Sequence, residues 1–333
     1  MPQVPFETKR SVRMSVKFQS FGSFNLLHPT CEAMLTVPYP DPWTVSVGEQ
    51  RRQFQRRLRD ISGPIPAIRS IETIVTRAEG AQVPVTLYRP RLEGTLPLAL
   101  FIHGGGFVIG DHDQYHALCA RVANDVGCIV ASIGYGLAPE TPFPKPVDDC
   151  KHAYEWLLKD HEWLGFDPAK VALFGDSAGG NLCAALGVLA TQGVIAQPQG
   201  MWLIYPVMDF AAKTPSRDLF AKGYGLNQDL MTWFGEQYLT DADAAKQVLA
   251  SPGRMSEQTA TAFPPSLIQT AGFDPLKDEA KDFAHLLDAK GRLLHYTCYE
   301  EMTHGFIHAY DLLDEAQMAT DEGVLWLRRL FQV

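Results

Sequence analysis

Long apolar runs are missing from this chain. No stretch approaches the roughly 18 apolar residues that a membrane-spanning helix needs. The N-terminus carries Lys9, Arg10, Arg13 and Lys17 but no apolar core behind them, so neither a secretory signal nor a membrane association is expected. Paired cysteines are missing too. Cys31, Cys119, Cys128, Cys150, Cys183 and Cys298 are scattered without a Cys-x-x-Cys spacing, and several fall on apolar faces of predicted elements. They read as free buried thiols in a reducing, cytoplasmic setting. Basic charge is scarce: 29 Lys and Arg stand against 38 Asp and Glu, a net charge of -9. Phosphate binding needs clustered cations, which excludes a nucleic-acid partner. The one dense basic run, Arg51, Arg52, Arg56, Arg57 and Arg59, lies in a predicted helix and reads as a solvated helix face. No Gly/Ser or Pro-rich linker, internal repeat or low-complexity tract divides the chain. Its 333 residues, 46% of them hydrophobic, are therefore expected to form one sizeable core with a cap.

Residues 1 to about 43 are Pro-rich and aperiodic and receive no assignment. Ser46-Val47-Gly48-Glu49 has the form of a capping box and opens a charged helix to about Asp60, so residues 1–70 are taken as an N-terminal cap segment and a candidate lid. Glu72 to Thr76 and Val83 to Tyr88 read as an antiparallel hairpin turning at Glu79-Gly80. Residues 71–333 then alternate strands with helices. The strands are Leu98 to Ile102, Cys128 to Ile133, the run leading to Ser177, Met201 to Tyr205, Ser266 to Ala271, and Leu294 to Tyr299. Between about 209 and 254 the rhythm breaks, with Trp233, Phe234, Tyr238 and Leu239 on what read as cap helices. Such alternation gives an α/β fold, a mostly parallel sheet with helices on both faces, and ligands bind at the carboxyl ends of its strands.

Four of those strand ends carry chemistry. Val171-Ala172-Leu173-Phe174-Gly175-Asp176-Ser177-Ala178-Gly179-Gly180 runs from strand through a tight turn into helix with Ser177 at the apex. Glycines 175 and 179 permit the close backbone approach, and the Ala178 N–H faces whatever bonds to Ser177. Asp176 beside it reads as support for the turn. His103-Gly104-Gly105-Gly106-Phe107 follows another strand and offers N–H groups unshielded by Cβ to a developing oxyanion; His103 reads as an anchor for that loop. Asp274 ends a third strand and His304 follows the last. Singly, Ser177 or Asp274 would serve as a helix N-cap, and the glycines or His304 as plain loop. Together they stand in the order nucleophile, acid, base, in which His304 takes the Ser177 proton and Asp274 orients the imidazole. Asp278, Glu279, Glu300 and Glu301 are alternative acids, although only Asp274 directly ends a strand. His304 and His308 have i, i+4 spacing but no Glu beside the first His, so no metal is expected.

These motifs, with Leu137-Ala138-Pro139-Glu140, Phe143-Pro144, Asp274-Pro275-Leu276 and His304-Gly305-Phe306, resemble the hormone-sensitive-lipase-like (bacterial family IV) carboxylesterases, particularly bacterial acetyl esterases. The resemblance runs from about residue 70 to 333. It implies an α/β-hydrolase fold with an eight-stranded core, a helical cap built from the N-terminal helices and an insertion after Pro206, and no cofactor. It also implies oxyanion donors at the N–H groups of Gly105, Gly106 and Ala178. The sequence departs from it at Gly134-Tyr135-Gly136, where Asp-Tyr-Arg is usual, which suggests a missing structural ion pair. The activity implied is a serine carboxylesterase acting through an acyl-enzyme on small-molecule esters with short acyl groups, acetyl to butyryl. The short-chain preference also draws on the bulk of Trp233 and Phe234. A peptidase or lactonase on the same residues stays open, as does a homodimer. A non-catalytic small-molecule receptor of this fold would lack the histidine that stands here at 304.

Overall fold

The computed structural model describes residues 18–23, 26–37, 41–76 and 82–333; the expected turn at Glu79-Gly80 lies outside them. Nine strands form one sheet: β1 (Phe18–Phe21), β2 (Ser70–Val75), β3 (Pro84–Arg89), β4 (Leu96–Ile102), β5 (Ile129–Ile133), β6 (Phe166–Asp176), β7 (Gly200–Ile204), β8 (Ser266–Phe273) and β9 (Leu293–Thr303). Their order is β1-β9-β8-β7-β6-β4-β5-β3-β2. β2 pairs with β3, and β3 with β5, antiparallel; every other pairing is parallel. The central strands are buried on both faces, and their side chains divide with period two. Leu98, Leu100 and Ile102 of β4 join one core with the helices Lys145–Lys159, Ala178–Thr191 and Lys277–Ala289. Ala99 and Phe101 join the other, under the helices His116–Val126 and Asp314–Phe331.

The sheet has one strand more than the eight expected. The extra strand is β1, from the lead-in that carries no clear periodicity, laid parallel to β9 with Phe18 opposite Tyr296 and Phe21 opposite Tyr299. A four-residue segment is too short to announce itself by alternation. Its placement comes from tertiary partners: Phe18 stacks on His285 at 4.6 Å, and Ser20 Oγ donates to Glu300 at 3.0 Å. β9 also runs past Tyr299 to Thr303, and Phe273 of β8 lies opposite Thr303. That register makes the next residues after the two strands, Asp274 and His304, neighbours.

The basic run is more than a solvated face. Ser46 does cap the helix Val47–Ile61, accepting from the Glu49 N–H, and Arg52 pairs with Glu49 one turn away. Arg51, however, donates to the carbonyls of Val108 and Ala138 and pairs with Glu140 at 2.6 Å. Arg57 donates to the carbonyls of Met34 and Val37. Two of the five cations thus fasten this helix to neighbouring loops. At Gly134 and Gly136 the space is filled by other groups. A Cβ at Gly134 would overlap the His112 ring, and one at Gly136 would crowd Thr141 and Asp149. Asp149 accepts the Gly136 N–H at 3.0 Å and has Lys145 3.5 Å away, so an ion pair exists at this place on different residues.

The segment after Pro206 breaks the alternation and contains the helix Gln228–Tyr238. Both its ends are tied to the core. Asn181 Nδ2 donates to the carbonyls of Val207 and Ala250, each at 2.8 Å, and Glu279 accepts from the Met208 and Asp209 N–H groups and pairs with Arg217 at 2.6 Å. No helix among the described residues is long and apolar enough to cross a membrane, and the six cysteines are free and buried.

Burial pushes the Glu279 carboxyl up to about 7 from an ordinary 4.5, against the pull of Arg217 and the two N–H groups. Between those values the folded chain keeps a proton that the unfolded chain releases, so this group erodes stability as pH rises. Arg217 limits that erosion. Arg217→Met is therefore expected to destabilise the fold more at about pH 8 than at about pH 5, approaching about 3–5 kcal/mol where the carboxyl is charged. Urea denaturation at both pH values measures this; equal losses would show that Glu279 does not titrate in the window.

Candidate active site

β6 ends at Asp176 and the helix begins at Ala178 (Ala178–Thr191), with a single residue between them, so Ser177 makes the whole turn. It does so at φ 55° and ψ -118°, a strained conformation for a residue with a side chain. The turn packs directly against the end of β4. A Cβ at Gly179 would overlap the Ile102 carbonyl, and one at Gly175 would crowd the same oxygen. Ser177 is 8% exposed and lines a cavity.

His304 Nε2 lies 2.9 Å from Ser177 Oγ, and His304 Nδ1 lies 2.7 Å from Asp274 Oδ2. A carboxylate only accepts, so Nδ1 carries the proton and Nε2 is left to accept from the serine hydroxyl. Asp274 is fully buried and its other oxygen accepts the Leu276 N–H at 2.8 Å, which fixes the carboxylate plane. The Tyr205 ring packs against the imidazole at 4.7 Å. The other acids are engaged elsewhere: Asp278 accepts the Ser216 N–H, Glu279 pairs with Arg217, Glu300 accepts from Ser20, and Glu301 accepts the Ser23 N–H. His304 and His308 turn to different carboxylates, Asp274 and Asp176.

Gly105 and Gly106 line the same cavity as Ser177 and His304. Both have positive φ, 109° and 58°, and a Cβ at either would overlap the Ile109 carbonyl or the Phe234 ring. The Gly105 carbonyl turns inward to accept from Val108 and Ile109. Among the described residues no protein acceptor takes the N–H of Gly105, Gly106 or Ala178. His103 sits beneath this loop, fully buried and stacked on Tyr135 at 4.4 Å, with the Tyr135 hydroxyl donating to its carbonyl at 2.8 Å. Burial holds its imidazole below the ordinary value, which suits a neutral anchor.

The cavity measures about 290 Å³ and its walls are mostly apolar. Phe54, Leu58 and Ile61 form one wall, and Phe210, Leu226, Leu230, Met231 and Phe234 form another. Trp233 does not line it and packs beside Phe234, ring centres 5.4 Å apart. The Phe54, Leu58 and Ile61 wall escaped the reading of the sequence, although its i, i+4, i+7 spacing marks one helix face.

A family model described as alpha/beta hydrolase fold matches residues 99–308. The chain is 38% identical over 255 residues to the carboxylic ester hydrolase LipN of Mycobacterium tuberculosis, an alignment spanning 74% of this chain and 67% of that protein. It is 33% identical over 291 residues to ethyl acetate hydrolase of Pseudomonas putida, spanning 85% and 89%. Among solved structures, an esterase of Pyrobaculum calidifontis matches with a TM-score of 0.85 at 33% identity, over 91% of this chain and 99% of that one.

Gly179→Ala drives a methyl into the Ile102 carbonyl, so it is expected to lower stability by roughly 1–3 kcal/mol, the usual cost of overpacking. An unchanged denaturation midpoint would show that β4 and the Ser177 turn tolerate a wider separation.

Proposed function

Because the chain belongs to the alpha/beta hydrolase fold family, in its hormone-sensitive-lipase-like branch, we propose that it is a serine carboxylesterase with Ser177, His304 and Asp274 as its catalytic triad. The observation that carries this reading is the unbroken relay from Ser177 Oγ to His304 at 2.9 Å and from His304 to Asp274 at 2.7 Å. Ser177 Oγ attacks the ester carbonyl carbon while His304 Nε2 takes the hydroxyl proton. The carbonyl oxygen becomes an oxyanion and is met by the N–H groups of Gly105, Gly106 and Ala178. Collapse breaks the bond to the alkoxy oxygen, His304 returns the proton to it, and the alcohol leaves behind an acyl-Ser177 ester. Water repeats the sequence and releases the carboxylic acid. Asp274 holds the imidazole tautomer and offsets the charge that His304 gains in each half.

Substrates in this reading are small-molecule esters with short acyl groups, acetyl to butyryl. Three observations support it: an apolar cavity of about 290 Å³, the Phe234 ring seated against Gly106, and the name of the Pseudomonas putida relative. Of the N-terminal segment 1–70, the helices Pro29–Leu35 and Val47–Ile61 act with about 209–254 as the cap, since both contribute walls to the cavity, whereas Phe18–Phe21 belongs to the sheet.

Hydrolysis of p-nitrophenyl esters from acetate to palmitate, by the native chain and by Ser177→Ala, tests the proposal. Activity is expected to peak at about two to four acyl carbons and to fall by roughly 10⁴ to 10⁶ in the variant. Retained turnover in Ser177→Ala would place the chemistry elsewhere. A maximum on long chains would overturn the short-chain reading. Asp274→Asn should lose on the order of 10⁴ in kcat through the wrong imidazole tautomer, and a comparable loss in Asp278→Asn instead would reassign the acid.

A further inference from the structure

We propose that His308 is a positioning residue for this reaction: through Asp176 it locks the Ser177 turn and the oxyanion loop to the loop that carries His304. The inference rests on the esterase reading above.

Asp176 is the last residue of β6, adjacent to Ser177 and almost fully buried. Each of its carboxylate oxygens has one partner. Oδ1 accepts the Gly104 N–H at 2.8 Å, and Oδ2 accepts from His308 Nε2 at 3.0 Å. Gly104 immediately precedes Gly105 and Gly106, and it lies so close that a Cβ there would crowd the carboxylate. His308 closes the short turn Phe306–His308 that follows His304. Three loops that arrive from three different strands therefore end on one carboxylate.

The group is built to stay charged and fixed. Burial opposes its ionisation, yet the electrostatic pull and hydrogen bond of His308 and the N–H of Gly104 hold it below the usual carboxylate range. His308 is 8% exposed, and its ring stands edge-on to Tyr115 at 5.0 Å. Tyr115 in turn stacks on His103 at 5.5 Å, at the base of the glycine loop. If His308 is replaced by an apolar residue, Asp176 keeps only one partner in a dry site. Its carboxylate then shifts or takes up a proton, and Gly104 moves with it. The oxyanion donors are misplaced relative to Ser177; His308 itself is part of the cavity lining, but the apolar walls from Phe54 to Ile61 and from Phe210 to Phe234 stay in place. The penalty falls on the transition state, so kcat drops and KM does not.

The experiment compares the native chain with His308→Leu, which fills the space without a donor, and with His308→Gln, whose amide nitrogen reaches Asp176 from nearly the same place. Competent sites are counted by taking reaction with a p-nitrophenyl phosphonate to completion, and kcat is expressed per counted site on p-nitrophenyl acetate. His308→Leu is expected to lower kcat roughly 10- to 100-fold, the scale of a slight misplacement of reacting groups, with KM within about threefold. His308→Gln is expected to recover most of that loss. A purely packing role would leave kcat per counted site unchanged and reduce only the number of sites, and that result overturns the proposal. So would a loss that His308→Gln fails to recover. Should His308→Leu not fold, Asp176→Asn keeps the acceptor for Gly104 but loses the anion, and the same fall in kcat at constant KM is expected; unchanged kcat there overturns the proposal as well. Ser177→Ala assayed alongside separates the two readings: if it retains turnover the esterase assignment fails, whatever His308 does.

Discussion

Between the end of β4 and the start of the helix Ala178–Thr191 there is no room for a methyl group. The Ile102 carbonyl occupies the space that a side chain at 175 or 179 would need, and that proximity orders much of what surrounds it. It sets β4 beside β6, so the glycine loop leaving β4 and the serine leaving β6 emerge side by side at the carboxyl end of the sheet. It forces the reversal onto one residue, Ser177, whose positive φ aims the hydroxyl away from the packed backbone. The strain is sustained by rigid surroundings, two strands and a fully buried helix.

That constraint was legible because it is written in residue types that have few other uses. Glycine on either side of a serine after a β run, consecutive glycines after another, and an acid and a histidine at later strand ends carry strong local meaning, and the parallel sheet then gathers them. What escaped notice depends on partners distant in sequence. β1 has no pattern of its own and is defined by β9. Arg51 looks like any other helical cation until the carbonyls of Val108 and Ala138 lie beside it. The glycines at 134 and 136 suggested a lost ion pair, whereas Asp149 and Lys145 lie beside the gap. In the sequence His308 reads only as a candidate metal ligand, because its partner Asp176 lies 132 positions away. Trp233 and Phe234 are adjacent aromatics, and only the orientation of their helix decides that Phe234 faces the cavity.

The helix after Asp274 links the reacting groups to the cap. Its first turns carry Asp278 and Glu279, and these hold Ser216, Met208, Asp209 and Arg217 at the start of the insertion. The same stretch of chain therefore presents the acid to His304 and seats the segment that supplies Phe210 and Phe234 to the cavity. Changes in cap sequence can alter the cavity walls while these anchor points stay fixed.

β1 has a consequence for how the molecule behaves in a crowded solution. β9 is an eleven-residue strand, and β1 covers its outer side from Tyr296 to Tyr299 with only four residues. A chain shortened to start just beyond Gly22 would present that stretch of β9 as a row of unsatisfied N–H and C=O groups flanked by Tyr296 and Tyr299, a template onto which another molecule's strand could add. The short strand at the margin thus occupies hydrogen-bonding groups of β9 that would otherwise stand open to another strand.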